Sequence, residues 1–401
     1  MPHRTRISTL VLLFVGALSC ITCQSERTKV LDKEGTESTQ QADIKVGAKV
    51  LIQEHLDELD GRNIGLVMNP TARVDGVHML DTLIALGLPV KALFAAEHGF
   101  RGSQGAGEII QDGLDEATGL PVFSLYGATK KPSAQMLKEI DVLLFDMQDV
   151  GARFYTYNST MKYVIEAAAE QGIEVWILDR PNPLGGDYVA GWVLEPEYNS
   201  FVGTYPIPIA HGLTLGELAQ MALGEDWYET DAKVNLRVIP MSGWQREMKW
   251  NDTQLEWVPP SPNLPTFEHA YAYIGTCFFE GTTLSEGRGA DHPFLMMGGE
   301  SSSVNDDVSL WSNHGVRLQP TQFTPVSIPG KALRPKGEGL LLNGILWENA
   351  LEHPDPLTVG LRMMQWLMEH SPEAAYKDYL YLLAGTDKIE ALSRSRINLK
   401  T

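Results

Sequence analysis

LFAAEHGFRG, residues 93–102, ends an apolar run on Glu97 and His98, with Arg101 close behind. A carboxylate and an imidazole delivered together are groups that can move protons. FDMQDVGARFYTY (145–157) adds Asp146, Asp149, Arg153, Tyr155 and Tyr157; LDRPNPLGG (178–186) adds Asp179, Arg180 and Asn182. His211 lies in AHGLT, Asn69 and Tyr126 complete this set, and FFEGTTLSEGRG (278–289) carries Glu280, Glu286 and Arg288. Other chemistries lack their residues. There is no GxSxG elbow, and Cys277 sits in an apolar setting, so a nucleophilic triad is unlikely. There is no HxxxH, HxH or HExxH, so zinc is poorly supported, and no organic cofactor is required. Carboxylates with histidine, arginine and tyrosine suit a glycosidase. One carboxyl protonates the leaving oxygen, and a second stabilises or attacks the anomeric carbon. A metal-dependent esterase or amidase, with Glu97, His98 and Asp146 as ligands, ranks only slightly lower. A non-catalytic binding protein is the third reading.

These residues need elements to position them. NIGLVM (63–68), PVKALFA (89–95), DVLLFD (141–146) and EVWILD (174–179) are apolar runs without polar alternation. Helical patterns separate them: GVHMLDTLIALG, closed by Gly87, and NSTMKYVIEAAAEQG, with Asn158 or Ser159 as N-cap. That combination predicts a parallel sheet buried on both faces, a doubly wound Rossmann-like α/β domain. Each predicted strand ends on polar residues: Asn69, Glu97-His98, Asp146 and Asp179-Arg180. Open parallel sheets bind ligands beyond the carboxyl ends of their strands, so these groups are expected around one crevice. Glu217 is set aside, because Thr214 and Glu217 make a helix capping box. GSQGAG (102–107) lacks the order of a dinucleotide fingerprint.

The 401 residues suit two domains. We expect a Rossmann-like catalytic domain over 45–262 and a smaller α+β domain over 263–401. WVPPSPNLPT (257–266) would be an extended crossover between them. After it, YAYIGTCFFEG is strand-like, and two helices near 356–370 and 372–384 close the chain. A net charge of −19 makes nucleic acid a poor partner. An anionic ligand would need a local arginine cluster. Arg4 and Arg6 precede the short apolar run LVLLFVGALSC (10–20), which is signal-peptide composition over residues 1–23. Cys20 or Cys23 is a candidate lipidation site, giving a membrane-anchored lipoprotein; plain export to the periplasm is the alternative. Residues 24–44 are polar, as a tether would be.

The longer motifs carry a resemblance. MNPTA, LFAAEHGFRG, TGLPVFSLYG, FDMQDVGARFYTY, LDRPNPLGG, PIPIAHGLTLGELA, WVPPSPNLPT and GTCFFEGTTLSEGRG follow in order. From about residue 62 to the end the chain resembles the NamZ-type exo-β-N-acetylmuramidases. The resemblance implies a site in the cleft between the two domains. It implies release of terminal N-acetylmuramic acid from the non-reducing end of peptide-free peptidoglycan fragments. The glutamate of the EHG motif falls on Glu97, the leading catalytic residue, with Asp146 or Glu286 as second carboxylate. Thr283 and His292 depart from the pattern, where asparagine and arginine are usual. Muramic acid carries a lactyl carboxylate, so at least one of Arg101, Arg153, Arg180 and Arg288 is expected to face it.

Overall fold

The computed structural model describes residues 43–101, 112–304, 306–389 and 391. The signal-like segment, Cys20, Cys23 and the glycine run 102–107 lie outside the described residues.

Seven strands form the main sheet: β1 (Ile64–Met68), β2 (Val90–Ala95), β3 (Gly113–Leu114), β4 (Pro121–Ser124), β5 (Val142–Asp146), β6 (Glu174–Leu178) and β7 (Asn235–Ile239). Their order is β7-β6-β5-β1-β2-β4-β3, and all pairs are parallel except the edge strand β3. The chain winds outward from β1 through β2 and β4, then crosses back and winds outward through β5, β6 and β7. This is the doubly wound topology, with its switch point between β1 and β5.

The apolar runs are continuous because both sheet faces are covered. Leu66, Leu144 and Trp176 join one core with residues of α1 (Gly47–Glu54) and α2 (Met79–Ala85). Val67, Phe145 and Ile177 join the other with α3 (Tyr157–Glu170) and α4 (Leu215–Gly224). Two helix starts differ from expectation. In α2 an Arg73–Val74/Val77–His78 hairpin takes up the first residues, and the His78 ring accepts the Leu80 N–H. Thr156, not Asn158 or Ser159, precedes α3; both of those are buried inside the first turn. The capping box at Thr214 and Glu217 is present.

The second core extends into the C-terminal half. There α5 (Phe267–Thr276) packs on α6 (Pro356–Glu369), beside an antiparallel sheet of β8 (Met296–Gly299), β9 (Leu318–Phe323) and β10 (Leu342–Trp347), ordered β8-β10-β9. YAYIGTCFFEG was expected as a strand. It is the end of α5 followed by a 3-10 turn (Cys277–Gly281). The helix is buried all round, which removes the amphipathic period that would identify it. Gly275 is essential to the packing, since a Cβ there would lie 2.2 Å from the Pro356 carbonyl oxygen. The last helix also differs: α7 spans only Tyr379–Ala384. The preceding residues pair with the glycine-rich loop instead. Thr283 N donates to Ala375 O, and Tyr376 bridges Thr282.

Candidate active site

At the end of β2 the chain turns through two consecutive left-handed residues, His98 (φ 73°) and Gly99 (φ 80°). A positive φ is costly for histidine, and such strain persists only where surrounding structure enforces it. Here Gly99 N closes the turn onto Ala96 O, and His98 is buried. The turn sets half-buried Glu97 at the wall of a cavity of about 120 Å³. A larger cavity of about 360 Å³ shares Glu97, Tyr126, Glu280, Arg288 and Tyr379 with it. Together they form one cleft between the strand ends and the C-terminal half. Ser261 and Leu264 of the proline-rich crossover contribute to the wall, and the Tyr157 hydroxyl holds that segment by donating to Pro260 O at 2.7 Å.

Glu97 accepts a hydrogen bond from Thr156 Oγ1 at 2.9 Å. Burial, and then the neighbouring Glu97 charge, raises the Tyr126 phenol above its ordinary value, so Tyr126 stays a proton donor beside Glu97. Across the cleft Arg288 Nη2 donates to Glu280 Oε1 at 2.7 Å, and its Nε lies 3.6 Å from Glu286 Oε1. Burial lifts the Glu280 carboxyl; Arg288 pulls it down and Glu286 lifts it again, with a raised value as the result. Burial works against the Arg288 charge, but Glu280 and Glu286 outweigh it and hold the guanidinium above its usual value. Glu286 is 2.9 Å from Lys336 Nζ. Among the described residues Arg288 Nη1 and the Tyr155 hydroxyl are buried without a hydrogen-bond partner, and both residues line the cleft. Such orphaned donors fit a polar ligand.

The cleft thus gathers Glu97, His98, Tyr126, Tyr155, Glu280, Glu286 and Arg288. The other residues of the expected crevice do not line it. Asp146 is fully buried, and Arg180 binds both its oxygens, with Arg180 facing a separate cavity of about 220 Å³ near Thr71 and Gln148. Asn69 closes a turn by accepting from Thr71 N and Oγ1. Arg101 pairs with Asp115 and Asp81. Asp149 accepts from Gly151 N and lies 3.4 Å from His211 Nε2. Arg153 donates to four main-chain carbonyls: Trp192, Ile207, Leu383 and Ala384. Asp179 accepts from Thr214 Oγ1 and Gly216 N at the start of α4, and burial raises its carboxyl to about 6. Asn182 braces its own loop through Leu184 N and Leu213 O. Of the two expected second carboxylates, Asp146 is held by Arg180 away from the cavity, while Glu286 lines it with Glu97, as does Glu280. Sequence reasoning passed over Thr156, Tyr273, Tyr379 and the basic run KALRPK (331–336), all of which line the cleft. Thr156 stood inside a quoted motif, and the charge of KALRPK was a usable signal. Tyr379 had none. Among the described residues no group of three or more His, Cys, Asp or Glu is placed to hold a metal ion.

Comparison with known proteins gives consistent matches. The family models "Exo-beta-N-acetylmuramidase NamZ, N-terminal" and "Exo-beta-N-acetylmuramidase NamZ, C-terminal" match residues 64–268 and 271–396, meeting within α5. The peptidoglycan beta-N-acetylmuramidase NamZ of Bacillus subtilis (strain 168) is 40% identical over 353 residues, covering 86% of this chain and 82% of that protein. Crystal structures of two DUF1343 family proteins from Bacteroides fragilis NCTC 9343 align with TM-scores of 0.74. They are 33% and 34% identical, cover 87% and 88% of this chain, and are themselves each covered to 91%.

Proposed function

Because the chain belongs to the exo-beta-N-acetylmuramidase NamZ family, we propose that it is a glycosidase removing terminal N-acetylmuramic acid from the non-reducing end of peptidoglycan fragments. One observation carries the residue assignment: Glu97 and Glu280 line the same cleft with different partners. Glu97 is hydrogen-bonded to the Thr156 hydroxyl, which donates to a carboxylate and accepts from a carboxylic acid with equal ease. Glu97 is therefore suited to give a proton to the leaving oxygen and to take one back. Arg288 can only donate, so Glu280 faces it as an acceptor; the guanidinium opposes the burial and the Glu286 charge that raise the Glu280 carboxyl, and so supports Glu280 as the carboxylate opposite the developing oxocarbenium ion. Tyr126 and Tyr379 offer faces for the sugar. The arginines and apolar run near the N-terminus support export, with Cys20 or Cys23 as the lipid attachment point.

The test uses Glu97→Gln and Glu280→Gln on p-nitrophenyl N-acetyl-β-muramide and on a disaccharide with terminal N-acetylmuramic acid. p-Nitrophenolate leaves without protonation, so Glu97→Gln loses far more activity on the disaccharide than on the aryl glycoside. Glu280→Gln loses about 10²-fold or more on both. Equal, small losses in both variants would remove these two residues from the chemistry, and absence of turnover by the unmodified protein would remove the glycosidase.

A further inference from the structure

We propose that Arg334 recognises the lactyl carboxylate of the terminal muramic acid and so sets the preference for that sugar over one without the lactyl group. The inference rests on the glycosidase reading above and adds a specificity residue to it.

The cleft already holds three carboxyl groups, Glu97, Glu280 and Glu286, in a protein of net charge −19. An anionic sugar entering it meets repulsion unless a cation with spare hydrogen-bonding capacity is present. The arginines of the sequence motifs have little to spare. Arg101 and Arg180 are paired outside the cleft and Arg153 is spent on carbonyls; Arg288 keeps one buried N–H free, but its charge is already shared by Glu280 and Glu286. Lys336 is equally committed. Its ammonium donates to Phe279 O at 2.6 Å and Leu284 O at 3.0 Å, besides contacting Glu286.

Arg334 differs. It lines the larger cavity with Glu97, Tyr126 and Glu280, it is exposed, and it has no ion pair or side-chain hydrogen bond among the described residues. Its backbone is left-handed at φ 50°. That conformation is unfavourable for arginine, yet the loop is pinned on both sides. Buried Asn263 donates to Lys331 O at 2.7 Å, Ile328 pairs with Ala332, and Lys336 anchors the far end. An over-determined loop that holds an uncommitted guanidinium at the mouth of a cleft is a place where strain serves binding. Lys331 also lines this cavity, but it equally lines a neighbouring groove with His292 and Thr321. An ammonium also lacks the two-pronged match of guanidinium to carboxylate.

The experiment compares p-nitrophenyl N-acetyl-β-muramide with its lactyl primary carboxamide, which has nearly the same shape without the charge. Arg334→Gly removes the side chain and suits the left-handed backbone; Arg334→Lys restores the charge alone. In Arg334→Gly, KM for the acid rises about tenfold or more, and the preference for acid over amide falls by the same factor. Arg334→Lys recovers part of both. Calorimetric affinity for free N-acetylmuramic acid, read against N-acetylglucosamine, falls in parallel. An acid-over-amide preference that survives intact in Arg334→Gly overturns the proposal while leaving the glycosidase standing. If the unmodified protein turns over neither glycoside, the glycosidase reading fails, and the Arg334 assignment falls with it.

Discussion

Replacing Arg153 with methionine separates a structural arginine from a ligand-binding one. The side chain is only 1% exposed and has no carboxylate partner in its hydrogen bonds. Burial alone lowers it from the ordinary guanidinium value to about 10, which corresponds to roughly 3 kcal/mol spent on keeping it charged. Against this stand four bonds to carbonyls at 2.6–3.0 Å. Bonds from a charged donor are worth about 1.5–3 kcal/mol each. Two of them end α7 at Leu383 and Ala384, where a cation also meets the negative end of the helix dipole. Ile207 O retains the Leu194 N–H after the change, so its loss is small. Methionine fills most of the volume and carries no charge to desolvate. The balance is a destabilisation of about 3–5 kcal/mol, or about 4–7 °C in Tm for a chain of this size. Arg153 ties loops after β6 to α7, which carries the cleft residues Tyr379 and Leu383, so the loss falls on how the two halves are held together. Differential scanning calorimetry of Arg153→Met measures it, with kcat/KM of the folded protein as companion. A Tm within about 1 °C of the unmodified protein, joined to a raised KM, would refute the reasoning and return Arg153 to the ligand.

Burial, then the His292 and Lys331 charges, push His269 down from 6.5 to about 4. A depressed folded value means stability that is present above 6.5 and lost as pH falls toward 4. The Tm advantage of the unmodified protein over His269→Gln therefore shrinks across that window; Asp179, raised to about 6, acts in the opposite sense but is common to both proteins. An advantage that stays constant with pH would contradict this. For the N-terminus, fatty-acid labelling in a bacterial host is expected to mark the full chain and to vanish when Cys20 and Cys23 are both alanine. An unlabelled chain would leave export without an anchor.

The strands and the polar groups at their ends were legible because a sheet buried on both faces writes itself as uninterrupted apolar runs. Glu97 was legible for the same reason, as the first charge after β2. What the chain does not write locally is which polar group is left over once its neighbours have been satisfied. Asp146 and Arg180 sit 34 positions apart, each credible as a site residue alone, and they neutralise each other only when β5 and β6 lie side by side. Arg153 looks like an anion reader until carbonyls some 230 residues away close on it. Helix α5 was lost for a related reason, since a helix buried on every side has no polar face to show its period. Glu280, by contrast, keeps a cavity in front of it because its partner Arg288 comes from the same loop and holds the carboxylate without covering it. A charged residue reads as functional when its tertiary partners leave some of its capacity unspent. By that measure Arg334, and the one free N–H of Arg288, are the cations of the cleft that stay available to a ligand.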